Sequence, residues 1–162
     1  MRCTALTRAE ERTQMAIWSI ISSPLLISTD VAKMPAASKA DLLNTEVLAV
    51  STDRLGRQGW RVRNEGADTG LQVWVRPLFD GSVAVALHNG NNASTSEAAA
   101  GGGRVVTASL LDAGLGGMTA ATVRDLFAKT DLAPAVANGT VSVMVEPHGV
   151  VLLRLTPSCG AT

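Results

Sequence analysis

Between residues 51 and 60 the hydrophobic period of this chain switches from helical to two, and that switch restricts the folds open to it more than any other feature. Upstream, Thr7-Arg8-Ala9-Glu10 has the form of a capping box, in which the Thr hydroxyl and the Glu carboxylate each satisfy an orphan backbone donor at a helix start. The helix it predicts runs through Met15, Ile17, Trp18, Ile20 and Ile21. Ser22-Ser23-Pro24 ends it, because proline disfavours helical backbone in the residue before it. Leu25, Leu26 and Ile27 come next as a short run apolar on both faces, the pattern of a buried parallel strand. A loop through Thr29-Asp30-Val31 leads to a second predicted helix over residues 36–43, entered at Pro35 and closed at Asn44. Val47-Leu48-Ala49-Val50 makes a further apolar piece. Helix and then buried strand is the order of an α/β protein.

A polar connector carrying Arg54, Gly56, Arg57 and Gly59 separates this helical part from the alternating stretches downstream, and the domain boundary is expected near Gly56. Leu71, Val73 and Val75 alternate with Gln72, Trp74 and Arg76. Asp80-Gly81 signals a turn, and Val83, Val85 and Leu87 repeat the alternation, which together predict a hairpin. Residues 89–103 have too few apolar groups to offset ordering entropy and read as a mobile loop. Residues 104–110 and 121–127 are further strand candidates. For the second of these a helix over residues 119–129 competes, because Thr122-Val123-Arg124-Asp125 resembles a capping box. Residues 140–145 are expected to pair with residues 150–155 across a turn at Pro147-His148-Gly149. Short strands at this spacing imply an antiparallel sandwich, expected to fold without the helices before it.

Composition excludes several classes of function. Lys and Arg number 14, Asp and Glu number 14, and they are scattered, so no single-sign surface exists to steer nucleic acid or an anionic membrane. No apolar run reaches the ~18 residues of a spanning helix. The aromatic residues are Trp18, Trp60, Trp74, Phe79 and Phe127, so the core must be built mainly of Val, Leu, Ile and Ala. Met1-Arg2-Cys3-Thr4-Ala5 lacks the apolar stretch of a secretory signal, which leaves the compartment open. Cys3 and Cys159 read as incidental thiols, with a disulfide the alternative in an oxidising compartment. Asn92-Ala93-Ser94 and Asn138-Gly139-Thr140 are glycosylation acceptors only in a secretory pathway. No cofactor or metal is expected: His88 and His148 are isolated, and Gly101-Gly102-Gly103 lacks the Lys and Ser/Thr of a phosphate loop.

Several stretches resemble the α-galactosidases of glycoside hydrolase family 27. Arg12-Thr13-Gln14-Met15-Ala16-Ile17-Trp18-Ser19-Ile20 with Ser23-Pro24-Leu25-Leu26-Ile27-Ser28-Thr29-Asp30 resembles the family's passage from the seventh barrel helix to the eighth strand. Leu42-Leu43-Asn44-Thr45-Glu46-Val47-Leu48-Ala49-Val50 is similar to the end of its eighth helix, and Asp53-Arg54-Leu55-Gly56-Arg57-Gln58-Gly59 to its Asp-Pro-Leu-Gly-x-Gln-Gly connector. Val73-Trp74-Val75-Arg76-Pro77-Leu78, Val83-Ala84-Val85-Ala86-Leu87-His88-Asn89, Val123-Arg124-Asp125-Leu126 and Pro147-His148-Gly149-Val150-Val151-Leu152-Leu153-Arg154-Leu155 resemble strands of its C-terminal sandwich. Arg54 stands where the family usually has Pro, which frees φ at that point. The resemblance implies that residues 1–56 are a remnant of the last units of a (β/α)8 TIM barrel and residues 57–162 a Greek-key antiparallel β-sandwich. A complete barrel needs roughly 250 residues.

The resemblance further implies a retaining glycosidase that releases terminal α-linked galactose from galactosides, glycolipids or glycoproteins. It implies an enzyme secreted or held in lysosomes or vacuoles, in some members a homodimer. Such chemistry needs two carboxyl groups roughly 5–5.5 Å apart, and the family's pair lies upstream of anything matched by Met1 onward, so the chain alone is expected to be inactive. Asp30, just past the predicted strand, and Asp53, in the connector, are the carboxylates nearest the family's site, although each reads first as a turn or cap acceptor. His148 reads as a turn residue and His88 as a solvent-side or cross-strand residue. Trp60 and Trp74 read as core or interface residues, with a sugar-stacking platform the alternative, above all for Trp74. The competing function is a non-catalytic carbohydrate-binding or interaction module. With barrel neighbours lacking, Met15, Ile17, Trp18, Ile20 and Ile21 are expected to be partly uncovered and to favour self-association.

Overall fold

The computed structural model describes residues 6–64, 70–91, 102–118, 120–135 and 139–158; Cys3, Cys159, Asn92, Asn138 and most of the loop expected at 89–103 lie outside them. Three helices come first, α1 Arg8–Ile20, α2 Ala36–Leu42 and α3 Thr45–Ser51, with a short 3-10 turn at Val31–Lys33 before α2. Eight strands come after them: β1 Trp60–Asn64, β2 Leu71–Pro77, β3 Val83–Asn89, β4 Arg104–Ser109, β5 Ala121–Asp125, β6 Thr130–Ala135, β7 Thr140–Val145 and β8 Val150–Pro157. They form an antiparallel six-stranded sheet in the order β1-β2-β3-β8-β5-β6 and a two-stranded sheet, β4-β7.

The capping box forms as its residues require: Thr7 Oγ1 accepts from the Glu10 N–H at 3.3 Å, and Glu10 Oε2 accepts from the Thr7 N–H at 2.7 Å. Asn44 starts α3 in a similar way, its Oδ1 accepting from Glu46 N at 3.0 Å and Val47 N at 3.4 Å. That cap turns the apolar piece Val47-Leu48-Ala49-Val50 into a helix whose Val47 and Val50, three apart, are both buried.

Two cores share the six-stranded sheet. Its inner face, with Val73, Val75, Val85, Leu87, Val123, Leu153 and Leu155, packs against Val106, Ala108, Val141 and Val145 of the two-stranded sheet. Its outer face, with Ala84, Ala86, Val150 and Leu152, packs against Met15, Ala16 and Ile20 of α1 and Val47 and Val50 of α3. Covered on both sides, β3 is buried from Val83 to Leu87 without the usual polar alternation.

Four expectations are corrected. Residues 25–27 form no strand: Leu26 is 80% exposed and Ile27 59%, because a short apolar run becomes a strand only where a neighbour offers backbone partners. The turn at residues 146–149 exists, closed by Gly149 N to Glu146 O at 2.9 Å, but it does not join a hairpin. β7 pairs with β4, while β8 lies between β3 and β5 in the other sheet. Met15 and Ile20 are covered by the sheet, at 4% and 0% exposure. Arg76, on the face expected to meet solvent, is fully buried. β6 is a strand that the sequence pattern does not announce, because Thr-Asp-Leu-Ala-Pro-Ala carries a proline; it is an end strand of its sheet, where a missing N–H is tolerated. The competing helix at 119–129 is not formed: β5 ends at Asp125 and a turn succeeds it.

The connector reaches β1 through Gly59, whose N–H donates to Ile20 O at 2.8 Å. A Cβ there would lie 2.4 Å from Val75 O and 2.7 Å from Ile20 O, both backbone atoms with little room to give. Gly59→Ala is therefore expected to destabilise the fold by about 2 kcal/mol, measured as a lower urea midpoint.

Candidate functional site

Asp30 begins the 3-10 turn: its Oδ1 accepts from Ala32 N at 3.1 Å, and its Oδ2 lies 3.4 Å from Lys33 Nζ. Asp53 fastens the connector to the β2–β3 turn, its Oδ1 accepting from Leu55 N and Phe79 N, both at 3.0 Å. The Arg54 guanidinium lies 3.4 Å from the centre of the Phe79 ring, so this side chain also holds the connector to the β2–β3 turn. Asp30 is thus spent on its own turn and on Lys33, and Asp53 on its own turn and on the β2–β3 turn. Trp74 is half-buried against the helix–sheet core. Its Nε1 donates to Gln72 Oε1 at 3.0 Å, and the Arg61 guanidinium lies 5.6 Å from its ring. One face of that indole is thus occupied by a cation; Trp60 is 45% exposed, with Arg57 at 5.5 Å.

Polar residues outside the expected set hold the helices to the sheet. Asn44 Nδ2 donates to Leu126 O at 2.8 Å in a buried bond. Arg124 of β5 grips the Glu46 carboxylate with two nitrogens at 2.7 and 2.8 Å, which holds Glu46 below the usual carboxylate range. Asp41 of α2 accepts from Arg8 at 3.1 Å and from Arg12 at 2.9 and 3.0 Å. Arg76 of β2 donates from Nη1 to Ser19 O, and at 3.4 Å to Ser51 O, at the C-terminal ends of α1 and α3. The partial negative charge of two helix ends faces this guanidinium, whose pKa burial lowers and Asp53 partly restores. A strand pattern cannot reveal this arrangement, because what covers Arg76 comes from residues 25 and more positions away.

α1, α2 and the segment between them enclose a groove of about 530 Å³ lined by Trp18, Leu25, Leu26, Ile27, Met34 and Leu42. Asp30 stands at this groove and Asp53 does not. Among the described residues no group of three or more His, Cys, Asp or Glu is placed to hold a metal ion.

His88 of β3 is half-buried, and among the described residues its Nδ1 has no hydrogen-bond partner. Burial, and secondarily His148, lower its pKa. The unfolded chain takes up this proton at about pH 6.5 while the folded chain resists it, so stability is full above that pH and declines as pH falls towards the folded value. The urea midpoint is expected to drop between pH 7.5 and 5, with a shallower drop in His88→Gln.

Two family profiles match separate stretches of the chain. A family profile described as alpha galactosidase A matches residues 3–53, and one described as alpha galactosidase C-terminal beta sandwich domain matches residues 68–155. The chain belongs to the glycoside hydrolase family 27 α-galactosidases. An α-galactosidase of Oryza sativa subsp. japonica is 37% identical over 153 residues, covering 94% of this chain and 33% of the rice protein. Among solved structures, a GH27 β-L-arabinopyranosidase of Geobacillus stearothermophilus has a TM-score of 0.80 at 30% identity, over 99% of this chain and 33% of that one. α-Galactosidase I of Mortierella vinacea shares the fold with a TM-score of 0.80 at 23% identity, over 98% of this chain and 38% of that one. The chain thus spans about a third of the length of the curated α-galactosidases it matches.

Proposed function

We propose that this chain is the C-terminal third of a retaining α-galactosidase that releases terminal α-linked galactose from galactosides, glycolipids or glycoproteins. In this reading residues 1–56 are the last units of its (β/α)8 barrel, residues 57–162 its sandwich, and the chain alone does not catalyse hydrolysis. The observation that carries the reading is the rice enzyme's likeness to 94% of this chain, against only 33% of its own length.

The chemistry supports the reading. A retaining glycosidase sets one carboxylate to attack the sugar and a second carboxyl to give and then take a proton, across roughly 5–5.5 Å. Asp30 serves Ala32 and Lys33, and Asp53 serves Leu55 and Phe79. Glu11 and Asp41, which line the groove with Asp30, are engaged by Ser38 and by Arg8 and Arg12. In this reading α1, α2 and the intervening segment contribute a mainly apolar wall whose carboxylates, Glu11, Asp30 and Asp41, are already paired with neighbouring donors.

The test is an assay of the 162-residue chain with nitrophenyl α-galactoside, and with nitrophenyl β-L-arabinopyranoside, whose ring lacks galactose's hydroxymethyl group. No release above the blank is expected from the chain alone. Release is expected once it is fused behind the remaining two thirds of the rice relative. Release by the chain alone, abolished in Asp30→Asn, would overturn the reading.

A further inference from the structure

The six-stranded sheet ends at β1, and among the described residues no strand lies beyond it. An end strand turns the N–H and C=O groups of alternate residues outward, which makes it a template for one more strand. The charges along this edge differ from those elsewhere in the fold. Arg8, Arg12, Arg124 and Arg154 each meet a carboxylate. Arg54, Arg57 and Arg61 are exposed, meet no carboxylate among the described residues, and lie over the rings of Phe79, Trp60 and Trp74 at 3.4, 5.5 and 5.6 Å from their centres. We propose that the β1 edge docks an extended acidic segment of a partner protein, which adds as a further strand and sets carboxylates against Arg57 and Arg61.

The edge and the charges select the same partner. A guanidinium held over a ring keeps its in-plane N–H donors, so it offers a carboxylate a fork that is already oriented. Trp60 pairs with Val75 and Arg61 with Trp74, and as neighbours on one strand Trp60 and Arg61 point to opposite faces of the sheet. Arg57 goes with the Trp60 ring, so the two guanidiniums flank the edge, one towards each face. An incoming strand meets both only if it carries acidic side chains at two adjacent positions.

Other occupants fit less well. A second copy of this chain would bring like guanidiniums together when two β1 edges pair. A nucleic acid or an anionic membrane needs a longer single-sign surface than three arginines standing beside Asp53 and Asp80 supply. Trp60 at 45% and Phe79 at 51% exposure give a docked segment apolar surface next to its charges.

The experiment is an amide-resolved NMR titration of the 162-residue chain with a synthetic peptide in which an adjacent Glu pair is flanked by Val and Thr. Saturable shifts centred on residues 54–64 are expected, and they should be lost when the pair is changed to Gln or the peptide backbone is fully N-methylated. Binding should weaken about fivefold in Arg61→Gln, whose unperturbed spectrum elsewhere shows the fold to be intact. Moving the two Glu one position apart puts both on one face and should cost as much as that substitution. Absence of saturation at about 1 mM peptide, equal binding of the Gln or N-methylated peptide, or an unchanged response in Arg61→Gln would each overturn the proposal. So would tighter binding of polygalacturonate, which has the carboxylates without the backbone amides. No hydrolysis is measured, so the galactosidase reading can fail without affecting this one.

Discussion

Residues 57–162 produced without residues 1–56 are expected to form a dye-binding, aggregating species instead of a soluble monomer. The deletion strips the outer face of the six-stranded sheet, where Leu78, Leu126 and Leu152 are 5%, 1% and 0% exposed and Ala84 and Ala86 are fully covered. At roughly 1.5–3 kcal/mol for each large aliphatic side chain, the three leucines alone account for roughly 5–9 kcal/mol, most of what a domain of this size has to spare. This reverses the sequence-based expectation that the sandwich folds by itself. Size-exclusion chromatography and an amide spectrum test it: a monodisperse, well-dispersed sample would show that the sheet closes its own outer face.

Asn44→Ala is expected to lower stability by about 3 kcal/mol, seen as a fall in Tm of several degrees and in the urea midpoint. The single side chain performs two tasks. Oδ1 caps α3 by accepting from Glu46 and Val47, and Nδ2 satisfies the buried Leu126 carbonyl just after β5. Loss of a cap costs ~1 kcal/mol, and orphaning a buried acceptor ~1–3 kcal/mol. Asn44→Asp should separate the two, since a carboxylate keeps the cap but has no N–H for Leu126. If Asn44→Asp were as stable as the parent chain, the buried bond would contribute nothing.

The parts of the fold legible in the sequence are those whose causes are local. The capping box needs only Thr7 and Glu10, three residues apart, and the β2–β3 hairpin needs only alternation and the Asp80-Gly81 turn. Residues 25–27 mislead because an apolar triplet specifies a preference for burial without specifying what buries it. The β7–β8 turn imitates a hairpin for a related reason. Its backbone is tight, with His148 at φ +55°, but the partners of β8 are β3 and β5, which come from distant parts of the chain. The candidate carboxylates are legible as turn acceptors from their neighbours Val31 and Arg54 onward. The seam formed by Asn44, Glu46, Arg76 and Arg124 is not, because each of its bonds spans 25 residues or more.

The exposed segment after α1 has a consequence at the level of its amide protons. Among the described residues, the backbone N–H groups of Leu25, Leu26, Ile27, Ser28 and Thr29 donate to no protein acceptor, whereas Ser23 just before them is tied to Trp18 O at 2.9 Å. In deuterated water these five positions should therefore label within the dead time, at the rate of an unstructured peptide, while their flanks in α1 and α2 retain hydrogen. Slow labelling there in a longer polypeptide would report a strand docked alongside, and would do so without any enzymatic substrate.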